Sequence, residues 1–256
     1  MTNARLRRFG LPAAVLLAVF CQVWLHLNSW QAITGVGAGL SWLATHFVPD
    51  SSAWQQLPTI LYQLWRTVVI AVAATVCAAA CALLLSLAGA NATGRVAWLR
   101  GVIRLVADVM RNFPFVAWAL ILLFSFKQND FTGFLALFLM TIGYLTRSFI
   151  ETIDETAGGA VVALTATGAR YWPIMRQGVL PQAAGGLTSW VLYMIENNVR
   201  DATLVGMLTG TGVGFVFDLY FKSFNYPAAG LVVVCLIVVT IAIELTSTKI
   251  RQVLTQ

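Results

Sequence analysis

The sequence predicts an all-α integral membrane protein with six transmembrane helices, and three observations predict it. Hydrophobic residues fill 59% of the 256 positions and charged residues only 10%, where a soluble domain carries about 25% charged residues. Mean hydropathy is +0.80, and the apolar residues gather into stretches near the roughly 20 residues that cross a bilayer. Lys and Arg then cluster at alternate ends of these stretches, the asymmetry that orients membrane helices.

The first span is predicted over residues 9–27, after the basic "RLRRFG". The bulky "CQVWLHLNSW" that follows offers no small-x-small cleavage site, so an uncleaved helix is expected. Residues 32–48 are apolar but short, and contain Gly35, Gly37, Gly39 and His46. They predict an external surface helix rather than a seventh span. The second span is predicted over 61–90, with no charge between Thr67 and Gly94. The third covers 102–126 and is interrupted by Asp108 and Arg111; the fourth covers 131–149, the fifth 180–199 and the sixth 226–245. Residues 202–217 are apolar but glycine-rich. The chain divides into 1–58, a first helix with an external segment, and 59–256, a membrane core with cytoplasmic helices at about 158–178.

Arg5, Arg7 and Arg8 precede the first span, Arg95, Arg100 and Arg104 separate the second from the third, and Arg147, Arg170 and Arg176 flank or fill the connection from fourth to fifth. Lys249 and Arg251 follow the sixth. The opposite side holds Lys127 and Lys222 in its loops and Arg66 at a helix edge. The positive-inside rule therefore places both termini in the cytoplasm, with an even number of spans. The net charge of +6 is spread along these edges rather than gathered into the patch that nucleic acid requires, so no nucleic-acid partner is expected. Cys21, Cys77, Cys81 and Cys235 all lie in apolar runs and read as small buried hydrophobes. There is no GxxxxGK[ST] phosphate loop, metal dyad or nucleophile elbow. His26 and His46 stand alone and need no catalytic role. A catalytic function, a cofactor and a metal are accordingly not expected.

The longest cytoplasmic connection, residues 151–186, starts acidic and continues in small helix-forming residues. Gly168 ends one short helix; "ARYWPIM" begins another, with Pro173 in its first turn. The stretch "VALTATGARYWPIMRQGVLP" resembles the motif of ATP-binding-cassette importer permeases: EAA, three residues, Gly, nine residues, hydrophobic-x-Leu-Pro. Gly168 matches the motif glycine and Leu180-Pro181 the Leu-Pro; Val162 replaces the usual Glu and Gly178 the first hydrophobic residue. "LWRTVVIAVAAT" and "DVMRNFPFVAWAL" resemble further core elements of the class. "NNVRDATLVGMLTGTGVG" is similar to phosphonate-importer permeases in Asn198, Val199, Arg200, Ala202, Thr203, Gly210, Gly212 and Gly214. The resemblance implies a type I importer permease fold working as a homodimer in a bacterial inner membrane. It also implies two cytoplasmic ATPase subunits that use ATP and Mg, a periplasmic phosphonate-binding protein, and an ATPase contact made by Ala163, Leu164, Gly168, Ala169, Arg170, Tyr171, Trp172 and Pro173.

The polar run "YMIENNVRDATLVG" holds the candidate site. Glu196 and Arg200 are spaced i,i+4 and can pair on one helix face. Ionisable groups within a membrane face a bundle interior or a watery cavity, and the Arg fork suits a tetrahedral oxyanion. Asn197 and Asn198 add neutral donors and acceptors. Three roles stay open for this set: fastening to a neighbouring helix, contact with the anion, and gating by a changing ion pair. Asp201 reads as solvated surface near the outer end of the fifth span. Asp108, Arg111 and Asn112 form a second set beside Pro114, read as structural or gating because proline frees a carbonyl that they can satisfy. Gly206, Gly210, Gly212 and Gly214 predict either a re-entrant external segment or close helix packing. A phosphite or phosphate cargo, a proton-coupled carrier and a membrane enzyme are the competing functions.

Overall fold

A computed structural model describes residues 2–25 and 29–254; His26 and Leu27, the predicted end of the first span, lie outside these, as do the side chains of Arg5, Arg7 and Arg8. Every regular element among the described residues is helical. The chain forms two compact units, residues 1–48 and 49–256. The first contains α1 (Thr2–Trp24) and α2 (Ser29–His46). In α2 the His46 ring stacks on Trp42 at 4.9 Å.

The second unit begins with the single turn α3 (Ser51–Trp54), capped by Asp50. The Asp50 carboxylate accepts from the Ala53 amide and the Ser52 hydroxyl, each at 2.8 Å. Those bonds, the Ala53 amide foremost, hold its pKa below the usual carboxylate value. There follow α4 (Leu57–Gly89), α5 (Ala97–Asn112), α6 (Phe115–Phe126) and α7 (Asp130–Thr156). Next come α8 (Gly158–Ala166), α9 (Tyr171–Pro173), a π-helical turn (Ile174–Val179) and α10 (Leu180–Thr209). The chain ends with α11 (Gly212–Lys222) and α12 (Tyr226–Leu254).

Helix α4 shows how the unit packs. Its buried positions include Thr67, Ala71, Ala74, Thr75, Ala78, Ala82, Ser86 and Gly89, a helical stripe of small side chains. Ile60 and Leu64 are buried near its start, while Tyr62, Trp65 and Leu84 point outward and are well exposed. Lipid is as apolar as these side chains, so association comes from close backbone approach along the small stripe. Helix α7 is the central post: 56% of its spanning stretch is buried, against 28% in α4 and in α12. Leu145, Phe149, Ile150 and Ile153 of α7 share one core cluster with Ala82 and Ala90 at the end of α4.

Among the described residues, three helices are long and apolar enough to cross a membrane: Leu57–Gly89, Asp130–Thr156 and Tyr226–Val253; two bent pairs qualify as one broken span each. The predicted first span is represented by the shorter apolar stretch Val15–Trp24. The third span is not the single helix expected. It breaks between α5 and α6 with a 91° bend, because Pro114 supplies no amide hydrogen and drives Phe113 to extended backbone (ψ 121°). The fifth span runs ten residues beyond its expected end at Val199, to Thr209. It turns through left-handed Gly210 (φ +67°) and Gly212 (φ +64°) into α11, bent by 56°. Cys21, Cys77 and Cys81 are exposed rather than buried, since an apolar thiol on a lipid-facing helix has no reason to turn inward.

Close packing of glycines is present at this end of the fold. Gly206 on α10 lies against Gly214 on α11, and a Cβ at Gly214 would collide with the Thr203 carbonyl. Gly214→Val is expected to lower the stability of the detergent-purified protein by about 1–3 kcal/mol, the usual cost of overpacking. Gly101→Ala, with nothing within 4 Å of its added Cβ, is expected to leave the thermal midpoint unchanged.

Candidate functional site

Helix α10 sorts its polar residues onto two faces. Tyr193, Asn197 and Arg200 are spaced by four and three residues and share the more open face. Asn198 and Glu196 are buried, with 0% and 8% exposure. The Asn198 amide nitrogen donates to the hydroxyls of Thr75 on α4 and Thr141 on α7, both at 2.8 Å. Thr75 in turn donates to the Ala71 carbonyl at 2.7 Å, which leaves its oxygen free to accept. Asn198 is therefore a three-helix tie rather than an open donor.

The same tie corrects the expected depth of the cluster. Helices α4 and α7 are pinned at one end by Arg66 and Asp130, Nε to carboxylate at 2.7 Å. At the other end the Asp154 carboxylate accepts from Asn91 and the Ala92 amide. Arg66 to Asn91 is 25 residues and Asp130 to Asp154 is 24, about 36 Å at 1.5 Å per residue. Thr75 and Thr141 lie 9 and 11 residues inward of the first pin, about 14–17 Å along their helices. Asn198 thus sits near the middle of the span, not near its outer end. Asp201, expected on solvated surface, is half-buried eight residues before α10 ends.

Glu196 pairs with Arg200 as its spacing predicts. Its second oxygen accepts from Arg251 of α12 at 3.1 Å, a contact between residues 55 apart that no local spacing signals. One buried carboxylate therefore serves two guanidiniums, which satisfies it. Removing it would leave two cations facing each other.

Asp108 and Arg111 are also brought together, but in a larger set than predicted. Arg111 Nε is 3.4 Å from Asp108. Arg147 of α7 reaches Asp108 at 3.6 Å and Glu151 at 2.6 Å. Asn112 serves the backbone, donating to the Asp108 carbonyl at 2.7 Å. Three aromatic rings link this set to α10. Tyr144 lies 6.0 Å from Trp190 and 6.3 Å from Tyr193 between ring centroids, and Trp190 lies 5.8 Å from Tyr193. Tyr144 is three residues from Arg147, and Tyr193 four from Asn197. Charged and aromatic groups of α5, α7 and α10 thus form one band, from Asp108 and Arg111 to Asn197 and Arg200. Arg147, Glu151, Tyr144, Trp190, Tyr193 and Arg251 were missed from sequence. The i,i+4 spacing of Arg147 and Glu151 was the available signal; the others needed the packed helices. A cleft of about 520 Å³ between α4, α10 and α12 has no charged lining, so it is no candidate for an anion.

The segment around Gly168 follows its predicted turn. Helix α8 ends in a Schellman motif: Ala169 N–H donates to the Leu164 carbonyl at 3.2 Å and Gly168 N–H to Thr165 at 3.0 Å. Gly168 takes the left-handed conformation this motif needs, with φ +77°. Val162 and Trp172 are 72% and 68% exposed, while Leu164 and Ala169 pack onto the core. Gly178, where the motif has a larger residue, lies under Leu164, and a Cβ there would come within 2.7 Å of it. The second short helix is not the separate piece expected. It continues into α10 through the π turn, whose wider backbone accommodates the proline ring and missing amide hydrogen of Pro181.

A family model described as "Binding-protein-dependent transport system inner membrane component" matches residues 82–255. The chain is 29% identical over 143 residues to the phosphate-import permease protein PhnE of Mycolicibacterium smegmatis, covering 56% of this chain but only 27% of that protein. It is 29% identical over 255 residues to the putative phosphite transport system permease protein HtxC of Stutzerimonas stutzeri, covering 97% of this chain and 88% of that one. It is 34% identical over 118 residues to the putative cryptic phosphonate transport system permease protein PhnE2 of Escherichia coli K12, covering 46% and 97%. Among solved structures, the MetNI methionine ABC transporter in an inward-facing conformation superposes with a TM-score of 0.69 at 16% identity, over 81% of this chain and 100% of that one. An amino acid ABC transporter crystallised with histidines gives 0.68 at 16% identity, over 80% and 98%. With more than half its length under that model and the helices of an ABC importer permease, the chain is a multi-pass membrane protein that belongs to the family of binding-protein-dependent transport system inner membrane components.

Proposed function

We propose that this chain is the translocation subunit of an ATP-driven importer for a small phosphorus oxyanion, with phosphonate as cargo and phosphite or phosphate as the near alternatives. The single observation that carries the cargo class is the relationship to a putative phosphite transport system permease protein over 97% of this chain. The arginine-bearing band agrees with it. In this reading the subunit works as a homodimer with six spans per copy and both termini in the cytoplasm. It binds no cofactor and performs no chemistry. Two ATPase subunits consume ATP and Mg, and a periplasmic binding protein delivers the cargo. ATP-driven closure of the ATPases draws the segment around 158–178 of each copy inward and opens the cavity outward; hydrolysis resets it.

Arg200 is the residue proposed to meet the anion. It stands half-exposed beside Asn197 and offers a planar fork to two oxygens. Its bond to Glu196 competes with the cargo, which keeps the site shallow enough to release. Asp108 and Arg111 lie further along the same band, with Arg147 sharing the Asp108 carboxylate. Val162, Ala163, Arg170 and Trp172 offer the surface to the ATPase cleft, as a helix does in a groove. Gly206, Gly210, Gly212 and Gly214 hold the external turn at the end of the pathway.

A second reading is favoured by the Arg251 contact: Glu196 fastens α12 to α10 and changes partners as the cavity opens. Under either role Glu196→Gln is expected to cost about 1.5–3 kcal/mol for the charged hydrogen bonds weakened, read as a lower thermal midpoint. Under the gating role it also raises ATP hydrolysis in the absence of cargo.

Arg200→Gln is expected to lower uptake into proteoliposomes about 10- to 100-fold, from the loss of a charge-assisted bond, while the ATPase still co-purifies. Arg200→Lys should recover part of that loss. Unchanged uptake in the glutamine variant rules out an essential charge there. In the reconstituted complex, phosphonate, phosphite and phosphate should stimulate ATP hydrolysis in an order that names the cargo, and sulfate should not. Normal uptake with the ATPase inactivated would overturn the importer reading in favour of a carrier.

A further inference from the structure

The loop of residues 90–96, between α4 and α5, touches both flanks of the segment that carries the proposed ATPase contact. On one flank stands Asp154, two residues before α7 ends and four before α8 begins. Its carboxylate accepts three hydrogen bonds: from the Asn91 amide at 3.0 Å, the Ala92 backbone at 2.9 Å and Arg104 Nη2 at 2.9 Å. On the other flank stands Tyr171, just past the glycine turn. The Arg95 guanidinium lies 4.4 Å over its ring centroid, within cation–π range.

The loop itself has little slack. The last carbonyls of α4, which lack partners in any helix, are taken up by side chains of the loop and α5. Thr93 donates its hydroxyl to the Leu87 carbonyl at 2.6 Å, and Arg104 Nε donates to the Gly89 carbonyl at 3.0 Å. Arg100 donates to the Gly94 carbonyl at 2.9 Å. Arg104 thus holds the end of α4 and the end of α7 with one fork. Beneath the loop, Ala90, Leu99, Ile153, Leu164 and Tyr171 belong to one core cluster.

We propose that Asp154, Arg104 and Arg95 are positioning residues that make the 90–96 loop a two-sided clasp, so that α4, α5 and α7 move as one body with the α8–α9 segment. Asp154 and Arg104 form its ionic pin, with side chains only 22% and 28% exposed, and Arg95 closes it on Tyr171. A displacement imposed at α8 then passes to the ends of three helices instead of being absorbed in the loop. On α7 it arrives three residues from Glu151 and seven from Arg147, which belong to the charged band. This inference rests on the reading of residues 158–178 as the ATPase contact.

The test uses the full complex of permease, ATPase and binding protein in proteoliposomes, with uptake and ATP hydrolysis measured on the same vesicles. Asp154→Asn keeps the shape of the side chain but sets an amide against two donors. It is expected to leave ATPase co-purification intact while uptake per ATP falls about 2- to 30-fold, the range seen when a coupling network is perturbed. Arg104→Ala should act alike, and the double variant should be no worse than either single one. Arg104→Lys, which cannot hold both partners at once, should recover only part. Arg95→Gln, at an exposed position with no fold to break, should lower the same ratio, whereas Tyr171→Phe, which keeps the ring, should not. An unchanged uptake-to-ATP ratio in both Asp154→Asn and Arg95→Gln overturns the clasp. Failure of the wild-type complex to hold its ATPase would instead overturn the underlying reading of the contact surface.

Discussion

An apolar side chain gains nothing by leaving lipid for the company of another apolar side chain, so the helices of this protein must be joined by close approach and by polar bonds. That constraint explains why the stripe of α4 that packs against α7 is built from Ala, Thr, Ser and Gly while its Trp and Tyr face outward. It also explains the Asn198 tie. One amide at mid-span reaches hydroxyls on α4 and α7; such interhelical bonds average only about 0.6 kcal/mol, but this one sets the rotation and register of three helices at once. Arg66 with Asp130 and Asp154 with the 90–96 loop mark the two ends of the same frame.

Charge inside this frame is placed sparingly, and its main carboxylates are paired. Glu196 is buried with two guanidiniums, and Asp108 and Glu151 flank Arg147. Each arginine makes the burial of a carboxylate tolerable. Under the proposed function, each carboxylate also restrains an arginine, so that cargo could leave as readily as it arrives. The aromatic rings of Tyr144, Trp190 and Tyr193 join these groups into one band across α5, α7 and α10.

Helix α7 connects the two ends of the problem. Arg147 and Glu151 belong to the charged band, and Asp154 to the pin at the other end of the frame, all within eight residues. The segment beyond it turns at Gly168, exposes Val162 and Trp172, and returns through the π turn into α10, which carries Arg200. Both helices joined by this segment, α7 and α10, therefore lead to the same polar band.

Much of this was legible in the chain alone, because some signals are local. Composition and span length specify a membrane bundle. The spacing around Gly168 specifies a helix stop whose motif needs positive φ, and Glu196 and Arg200 meet because i,i+4 residues share a helix face. Asn198, Arg200 and Thr203 in "NNVRDAT" carried the family likeness. What only the tertiary structure decided is distance across the bundle. The 91° break at Pro114, the run of α10 to Thr209 and the mid-span depth of Asn198 depend on partners 57 to 123 residues away or on a turn whose angle no periodicity records. Sequence reading ended the fifth span at Val199 and so put the polar residues of α10 near its outer end. The folded chain carries α10 on to Thr209 and buries Glu196 and Asn198, because Thr75, Thr141 and Arg251 are there to pair with them.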